Sequence, residues 1–251
     1  MGVQILVTRP VDQAGEWVDA LAHRGFAAAS LPLLHIEANP DSQALTAAWE
    51  RLPQYAVAMF VSPNAVNRFL ASAPKGWSWP VAVRAASTGP GTARALLTQG
   101  VPIDCLVQPP AGSAAFDSEH LWPLLAGEDW RGRSVLIVRG DGGRDWLADR
   151  WQAAGAEVSR LEAYRRVEPR WTASQTHLLA TALMQPAGHI WLLSSSQAVQ
   201  TLASRICLPQ GIRAVATHPS IARTARACGF SEVHEAAGGF DDVVACLESM
   251  A

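Results

Sequence analysis

The segment that decides the fold reads Ala58-Met59-Phe60-Val61-Ser62-Pro63-Asn64-Ala65-Val66, and a second copy reads Trp191-Leu192-Leu193-Ser194-Ser195-Ser196-Gln197-Ala198-Val199. Each copy is an apolar run, a small polar turn and the start of a helix that contains Ala-Val. A continuous apolar run followed directly by a helix is typical of a buried parallel strand. The two copies therefore predict two similar α/β units in one chain of 251 residues.

A second pair of matching segments lies downstream of each copy, at residues 83–95 and 212–224. Each is followed by a glycine that ends a helix, Gly100 or Gly229, and by an isolated short strand. The matching order favours an internal duplication, with convergence of generic Rossmann-like units as the alternative. Strands are predicted at residues 3–7, 27–31, 57–61, 81–87, 134–138, 157–164, 189–193, 213–217 and 233–235. The first helix is predicted over residues 12–24, with Gly25 at its end.

This pattern predicts an α/β fold of two Rossmann- or flavodoxin-like domains, each built on a parallel sheet. One domain is discontinuous and combines residues 1–35 with residues 169–251, and the other is an insert of residues 37–168. A two-stranded linker joins them through crossover segments near 33–37 and 163–168. The linker is a plausible hinge, and the active site is expected in the cleft between the domains.

Composition excludes several classes of function. The formal net charge is −2, so no global positive field attracts nucleic acid or a membrane surface. The four cysteines form no CxxC pair and have no zinc-ligand spacing with histidine, which favours free thiols in a reducing compartment. No signal peptide opens the chain and no apolar run is long enough for a membrane span. We therefore expect a cytoplasmic protein.

Polar turns follow the predicted strands and open helices, so they meet at the carboxyl edge of each sheet. Helix N-termini at such an edge present free N–H groups and a positive dipole end, which suit a polyanionic ligand. Each turn is also an ordinary helix cap, so either role is open for any one of them. The candidate ligand-binding residues in these turns are Thr8, Arg9, Ser62, Asn64, Gly89, Gly91, Thr92, Ser194, Ser196, His218 and Ser220.

The loop at residues 139–144 is the strongest local signal, because flexible glycines and two arginines make an anion-binding nest. Its candidate ligand-binding residues are Arg139, Gly140, Gly143 and Arg144. The loop lacks the GxxxxGK[ST] of a P-loop and the spacing of GxGxxG, so nucleotide binding is weakly supported. Tyr164 lies at the end of a strand that leads into the crossover. Its hydroxyl is expected either to reach the cleft or to be half-buried at a domain junction.

Six segments, taken in order and spacing, resemble the uroporphyrinogen-III synthase family over nearly the whole chain. They are the runs at residues 5–10, 60–66, 89–93, 139–144 and 194–199, and Tyr164 before Arg165-Arg166. One departure is His218-Pro219-Ser220, which stands where the family usually has Gly-Pro-Thr.

The resemblance implies two α/β domains with the active site between them and hydroxymethylbilane as substrate. This linear tetrapyrrole has eight carboxylates and a terminal hydroxymethyl group. The implied reaction loses water and closes the ring through a spirocyclic intermediate, with the last pyrrole inverted. The resemblance implies no metal and no organic cofactor. Tyr164 is the expected catalytic residue, as a donor to the departing hydroxyl, and Arg139, Arg144 and the turns are expected to hold carboxylates.

We expect a monomer that makes transient contact with the preceding enzyme of its pathway, with no nucleic-acid or membrane partner. The alternative function is a two-domain binding or sensor protein that closes over a polyanionic ligand without chemistry. A nucleotide-linked transferase is a further alternative, which would need a phosphate loop.

Overall fold

The structure is a computed structural model that describes residues 2–110, 112–113, 116–237 and 239–250, without the side chain of residue 42. The chain divides into two compact units. Unit 1 combines Met1–His35 with Val167–Ala251, and unit 2 is Ile36–Arg166. That each unit folds by itself as a domain stays a prediction.

The elements of the described residues follow one another as strand and helix in both units. The strands are β1 (Gln4–Val7), β2 (Ala27–Ser30), β3 (His35–Ala38), β4 (Tyr55–Phe60), β5 (Arg84–Ser87), β6 (Leu106–Val107), β7 (Ser134–Gly140), β8 (Glu157–Val167), β9 (His189–Leu193), β10 (Arg213–Ala216) and β11 (Glu232–Glu235). The helices are α1 (Val11–His23), α2 (Ser42–Arg51), α3 (Pro63–Leu70), α4 (Pro90–Thr98), α5 (Ser118–Leu121), α6 (Trp146–Ala153), α7 (Ala173–Met184), α8 (Ser196–Arg205), α9 (Pro219–Ala227) and α10 (Phe240–Glu248).

Each unit is built on one sheet. Unit 1 has the strand order β11-β10-β9-β1-β2, and all four neighbouring pairs are parallel. The second sheet has the order β3-β8-β7-β4-β5-β6, and the pairs from β8 to β6 are parallel. The predicted α/β fold with two parallel sheets is therefore confirmed.

The internal repeat is visible in the strand order. The repeated segments supply β9 to one sheet, where it is the central strand of five, and β4 to the other, where it has three strands on one side and two on the other. The unit β7-α6-β8 occupies beside β4 the place that β1-α1-β2 occupies beside β9. The first βαβ unit of the chain therefore has its counterpart after the first repeated segment.

Apolar side chains cover both faces of each sheet, as expected for parallel strands with helices on both sides. In β4, Ala58 and Phe60 belong to one buried cluster and Val57 and Met59 to another. The strands of unit 1 alternate in the same way between two clusters. In the part of the chain that the structure describes, no helix is long and apolar enough to cross a bilayer.

The main error in the strand predictions lies at residues 81–87, where β5 begins only at Arg84. The Val83 N–H donates to the Pro80 carbonyl at 2.9 Å, so the preceding residues form a turn. Proline fixes its own φ and starts a turn readily, which outweighs the apolar character of this run. β7 and β8 extend past their predicted ends, to Gly140 and Val167.

A cluster of charges at the start of β5 gives unit 2 a predictable acid sensitivity. Glu128 accepts from both terminal guanidinium nitrogens of Arg84, Nη1 and Nη2, and from the Arg133 Nη1. The hydrogen bond with Arg84 is the main reason that the pKa of Glu128 lies below 4.5. A carboxylate with a lowered pKa in the folded state stabilises above its unfolded pKa, and this stability is lost as the pH falls through the folded pKa.

We expect Glu128→Gln to lower the free energy of unfolding by up to about 1 kcal/mol at neutral pH, because the pair is partly solvent-exposed. The difference from the wild type should shrink below pH 4.5. Urea unfolding at a series of pH values measures it, with the exposed Glu50→Gln as control. A difference that stays constant down to pH 2 would contradict the assignment.

Candidate functional site

Serine caps the helix after each of the two repeated strands, β4 and β9. The Ser62 Oγ accepts from the Ala65 N–H at 3.2 Å, and the Ser195 Oγ accepts from the Ala198 N–H at 3.3 Å. The capping residue of the second turn is therefore Ser195, which lies between the predicted site residues Ser194 and Ser196. Ser194 precedes the cap, and Ser196 is the first residue of α8.

The turns after β5 and β10 have the same backbone although one contains glycine and the other histidine. Gly89 caps α4 with φ −150° and ψ 161°, and His218 caps α9 with φ −163° and ψ 145°. Any residue adopts these extended angles, so the histidine fits without strain. The His218 Nδ1 accepts from the Ser220 N–H at 3.1 Å and lies 2.7 Å from its Oγ.

We expect His218→Gly to keep the turn and to release the Ser220 N–H for a ligand. Because glycine is tolerated at a helix cap, the loss of stability should be a few tenths of a kcal/mol. The change in melting temperature measures this loss. A loss above about 1 kcal/mol would contradict the expectation, because it would mean that the imidazole cap itself holds the turn.

Three candidate side chains are buried within their units. Thr8 is 2% exposed, and its Oγ1 donates to the Leu192 carbonyl at 2.6 Å, which ties β1 to β9. Asn64 and Thr92, in the first turns of α3 and α4, are 8% and 5% exposed. Their burial leaves the main chain of these turns as the part that a ligand can reach most easily. The main chain at Gly91 is accessible, because a Cβ placed there would contact only the Pro63 side chain, at 3.9 Å.

The two sheets carry an arginine at matching positions of their carboxyl edges. Val7 and Ile137 pair with equivalent residues of β9 and β4, and the second residue after each is Arg9 or Arg139. The repeat therefore places one arginine at an equivalent backbone position in each unit. Their surroundings differ in charge.

Arg9 has no acidic partner among the described residues. Its guanidinium lies 4.2 Å from the Trp17 ring centroid, and its Nε is buried without a hydrogen-bond acceptor. Burial lowers the pKa of Arg9 to about 10, because a desolvated cation is destabilised. A bound carboxylate would supply the missing acceptor and charge.

Arg139 is buried and holds the loop that follows β7. It donates from Nε to the Gly142 carbonyl at 3.0 Å and from Nη1 to Asp145 at 2.6 Å. The hydrogen bond from Arg139, with a second from Arg160, keeps the pKa of Asp145 below its usual value. Gly142 and Gly143 have φ of 65° and 121°, a left-handed region that favours glycine. Arg144 in the same loop pairs with Glu119.

A cavity of about 330 Å³ opens at this edge of unit 2. Its wall combines cationic, hydroxyl and apolar groups, which suits a ligand with both anionic and apolar parts. The lining residues are Met59, Val61, Thr88, Phe116, Asp117, Ser118, Arg139, Gly142, Gly143, Arg144 and Arg166. Each of its three arginines pairs with a carboxylate, Arg139 with Asp145, Arg144 with Glu119 and Arg166 with Asp141, so the cavity offers N–H donors rather than a net positive charge.

Tyr164 belongs to a buried hydrogen-bond network. Its hydroxyl lies 3.0 Å from the Ser62 Oγ and accepts from the Arg166 Nη2 at 2.9 Å. Arg166 donates from Nη1 to the Asp141 carbonyl at 2.8 Å, and its N–H donates to the Asp141 carboxylate at 2.9 Å. Tyr164 is 1% exposed, so its hydroxyl faces protein groups.

Gly140 packs directly against this network. A Cβ at this position would lie 2.5 Å from Cε2 and 2.6 Å from Cζ of Tyr164, and 3.0 Å from the Arg166 Nη1. Only glycine fits beside the tyrosine ring there. The absence of a side chain at Gly140 therefore leaves room for the Tyr164 ring. Gly89 differs, because a Cβ there would meet only Phe116, at an ordinary 3.5 Å.

Sequence reasoning missed part of the cavity. Arg166 stands two residues after Tyr164 on β8, and residues two apart on a strand share a face, so this spacing could have revealed it. Thr88 directly precedes the predicted Gly89, so the argument from the turns after the strands could have included it. Phe116, Asp117 and Ser118 lie between predicted elements and carried no signal. Within the described residues no group of His, Cys, Asp or Glu converges as metal ligands would.

Two parallel-sheet units with cationic turns at a carboxyl edge define an α/β protein suited to anionic ligands. A family model described as uroporphyrinogen-III synthase HemD matches residues 15–239. The chain is 31% identical to a uroporphyrinogen-III synthase of Salmonella typhimurium over 179 residues, which cover 69% of each chain. It is 28% identical to that of Escherichia coli over 202 residues, which cover 76% of this chain and 80% of the relative. The chain belongs to the uroporphyrinogen-III synthase family.

Solved structures agree on the fold. A mutant uroporphyrinogen III synthase of Thermus thermophilus matches with a TM-score of 0.65 at 16% identity, over 99% of both chains. The uroporphyrinogen-III synthetase of Helicobacter pylori matches with a TM-score of 0.63 at 15% identity, over the full length of both. At this identity the likeness concerns the fold alone. The expected position of the active site between the domains, and the roles of the individual site residues, stay predictions.

Proposed function

We propose that the chain converts hydroxymethylbilane into uroporphyrinogen III with release of water, which makes it a hydro-lyase. The C–O bond of the terminal hydroxymethyl group breaks, and the hydroxyl leaves as water after it receives a proton. The methylene carbon left by the hydroxyl bonds to the substituted α-carbon of the last ring and forms a spirocyclic intermediate. The older bond from that α-carbon to its methylene bridge then breaks, and the released methylene bonds to the free α-carbon of the same ring, which closes the macrocycle with that ring inverted. A proton is lost when the last pyrrole regains its aromaticity, so the net change is the loss of one water.

The observation that carries the proposal is the arginine-lined cavity at the carboxyl edge of the unit 2 sheet, beside the Tyr164 network. The substrate has eight carboxylates, so its binding requires several cations and N–H groups. Arg139 uses Nε and Nη1 within the protein, which leaves the N–H groups of its Nη2 for a carboxylate. Arg144, which lines the same cavity, forms an ion pair with Glu119.

Arg9 supports a second carboxylate site, in unit 1. It is a half-buried cation without an acidic partner among the residues described, and its planar guanidinium can bind a carboxylate through two parallel hydrogen bonds. The turns after β9 and β10 add the main-chain groups of Ser194, Ser196, His218 and Ser220. Together these groups favour one folded conformation of the linear substrate, and ring closure depends on that conformation.

Tyr164 is the proposed source of the proton for the departing hydroxyl. Proton donation of this kind typically contributes about 10²–10⁴-fold to the rate. The Arg166 guanidinium beside the phenol oxygen stabilises the negative charge that remains on it after transfer. The same oxygen can recover a proton when the last pyrrole regains its aromaticity.

Three finer points belong to this proposal. The enzyme acts in the cytoplasm, it acts as a monomer, and it makes transient contact with the enzyme that supplies hydroxymethylbilane. The substrate closes without a catalyst to the uninverted isomer I, so rapid delivery favours the correct product. Size-exclusion chromatography with light scattering tests the monomer, and a mass of two or more chains would contradict it.

The test of the reaction uses hydroxymethylbilane generated enzymatically in the same tube, followed by oxidation and chromatographic separation of the uroporphyrin isomers. We expect isomer III to exceed isomer I in proportion to the amount of protein added. A matched reaction without the protein gives isomer I and sets the background. Isomer I alone at every protein concentration would contradict the proposed function.

A further inference from the structure

Arg166, Tyr164 and Ser62 form a directed row of hydrogen bonds, which we term the donor chain. It joins the end of β8 to the cap of α3 within unit 2, with 2.9 Å between the Arg166 Nη2 and the Tyr164 hydroxyl and 3.0 Å between that hydroxyl and the Ser62 Oγ. We infer that this chain makes the Ser62 hydroxyl the proton donor presented to the ligand, and that Arg166 is the positioning residue that sets its direction. The inference rests on the proposed function.

The direction follows from which groups can donate. A guanidinium has N–H donors and no acceptor, so the Tyr164 oxygen must accept from Arg166. The tyrosine proton then needs an acceptor. Tyr164 is 1% exposed, and the Ser62 Oγ is the other hydrogen-bond partner of its hydroxyl among the residues described. A buried O–H without an acceptor is strongly unfavourable, so the tyrosine donates to Ser62.

Ser62 is thereby left with one free donor. A serine hydroxyl has one O–H and accepts up to two hydrogen bonds. Its oxygen accepts from the Ala65 N–H at 3.2 Å and from Tyr164, so both acceptor positions are used. Its own proton has no acceptor among the described residues. Ser62 is only partly buried, so this proton can point toward a ligand while Tyr164 remains covered.

Proton transfer along the chain is balanced. Ser62 gives its proton to the departing hydroxyl, which leaves as water with the electron pair of the C–O bond. Ser62 takes the proton of Tyr164, and the phenolate that results faces the Arg166 guanidinium. The proton released when the last pyrrole regains its aromaticity returns by the reverse route. This arrangement explains how a buried tyrosine can serve a ligand that it does not touch.

The inference separates Arg166 from the other arginines of the cavity. Its side chain is held at Asp141 and at Tyr164, and it lies 5.0 Å from the centroid of the Tyr164 ring. Loss of its charge should therefore slow the chemical step with little effect on substrate binding. A residue that binds a carboxylate should show the opposite, a higher KM with a smaller change in kcat.

The test measures kcat and KM for the conversion of hydroxymethylbilane into isomer III. The variants are Ser62→Ala, Arg166→Met, Tyr164→Phe and the double variant of Tyr164 and Arg166. We expect each single variant to lower kcat by about 10²-fold, with KM within about threefold. Because Arg166 acts through Tyr164, Arg166→Met should cost nothing further in the Tyr164→Phe background. Ser62→Thr, which keeps the hydroxyl, and Arg166→Lys, which keeps a donor, should each recover at least tenfold.

Two control variants separate chemistry from folding. Asp41→Ala removes a side-chain cap from α2 in the same unit, so it should lower stability as much as Ser62→Ala without lowering kcat. Arg94→Met replaces an exposed arginine of α4. If Ser62→Ala does not fold, Ser62→Gly also removes the hydroxyl and tests the same role, since glycine is tolerated at a helix cap. All variants are compared by thermal unfolding.

Ser62→Ala or Ser62→Gly with kcat within threefold of the wild type would overturn the inference. So would a further tenfold loss from Arg166→Met in the Tyr164→Phe background. Both results leave the proposed function intact, because the wild type still forms isomer III. A wild type that forms isomer I alone rejects the proposed function instead, and the inference with it.

Discussion

Gly140→Ala is expected to lower kcat at least about 100-fold, because misplacement of a catalytic group by about 1 Å has effects of this size. The new methyl group would lie 2.5 Å from the Tyr164 ring, which is 1% exposed, so the ring would have to shift. Its hydroxyl would leave Ser62 or Arg166, and the donor chain would break. The same overpacking should lower the free energy of unfolding by about 1–3 kcal/mol.

Kinetics of isomer III formation and urea unfolding measure both effects of Gly140→Ala. Gly127→Ala is the matched control, because a Cβ there would meet nothing within 4 Å and the backbone lies outside the left-handed region. A folded Gly140→Ala enzyme with kcat close to that of the wild type would show that the Tyr164 position does not matter for the reaction.

Arg9→Met is expected to raise KM about 10- to 100-fold with a smaller change in kcat. Hydrogen bonds to a charged group are worth about 1.5–3 kcal/mol, which corresponds to this range. Stability should stay equal or rise, because burial of an unpaired cation is unfavourable and methionine keeps the contact with Trp17. Loss of binding together with unchanged or higher stability is the expected mark of a residue kept for function.

The sign of the Arg9 effect on stability follows from its pKa. The folded state lowers the pKa to about 10, so the charged form costs stability at every pH below about 10. Arg24→Met is the control, since Arg24 is an exposed arginine of unit 1 paired with Asp241. An Arg9→Met variant that unfolds more easily and binds substrate normally would assign Arg9 to the structure instead.

The repeated segments at Ala58 and Trp191 were sufficient to predict the parallel sheets. Buried strand and helix periodicity is local in sequence, and parallel pairing of consecutive βαβ units follows from handedness rules. The equivalence of β7-α6-β8 with β1-α1-β2 was not predicted, because it depends on which strands lie side by side. Arg9 and Arg139 became comparable only through that register.

The turn residues of the candidate site were predicted from the sequence, but the contacts between their side chains were not. Turn residues such as Ser62 and Gly89 follow apolar runs, which makes the sheet edge readable from sequence. The burial of Tyr164 and its bonds to Ser62 and Arg166 depend on side-chain packing between β8 and α3, which no local pattern encodes. The pairing of Arg144 with Glu119 joins the loop after β7 to α5, and no local pattern predicted it for the same reason.

The domain boundaries stay a prediction that expression of residues 37–168 alone can test. We expect a cooperative thermal transition from this fragment, because it contains five of the six strands of the second sheet in full and both of its buried clusters except Ile36. A fragment without a transition would mean that the unit depends on the rest of the chain.

The central claim is that the turns at the carboxyl edges of the two sheets bind the tetrapyrrole. Amide hydrogen exchange with and without uroporphyrinogen III, kept under anaerobic conditions, tests it most directly. We expect slower exchange in the turns after β1, β4, β5, β7, β9 and β10, with little change in α2 or α7. Slower exchange confined to those helices, with unchanged rates in the turns, would contradict the account.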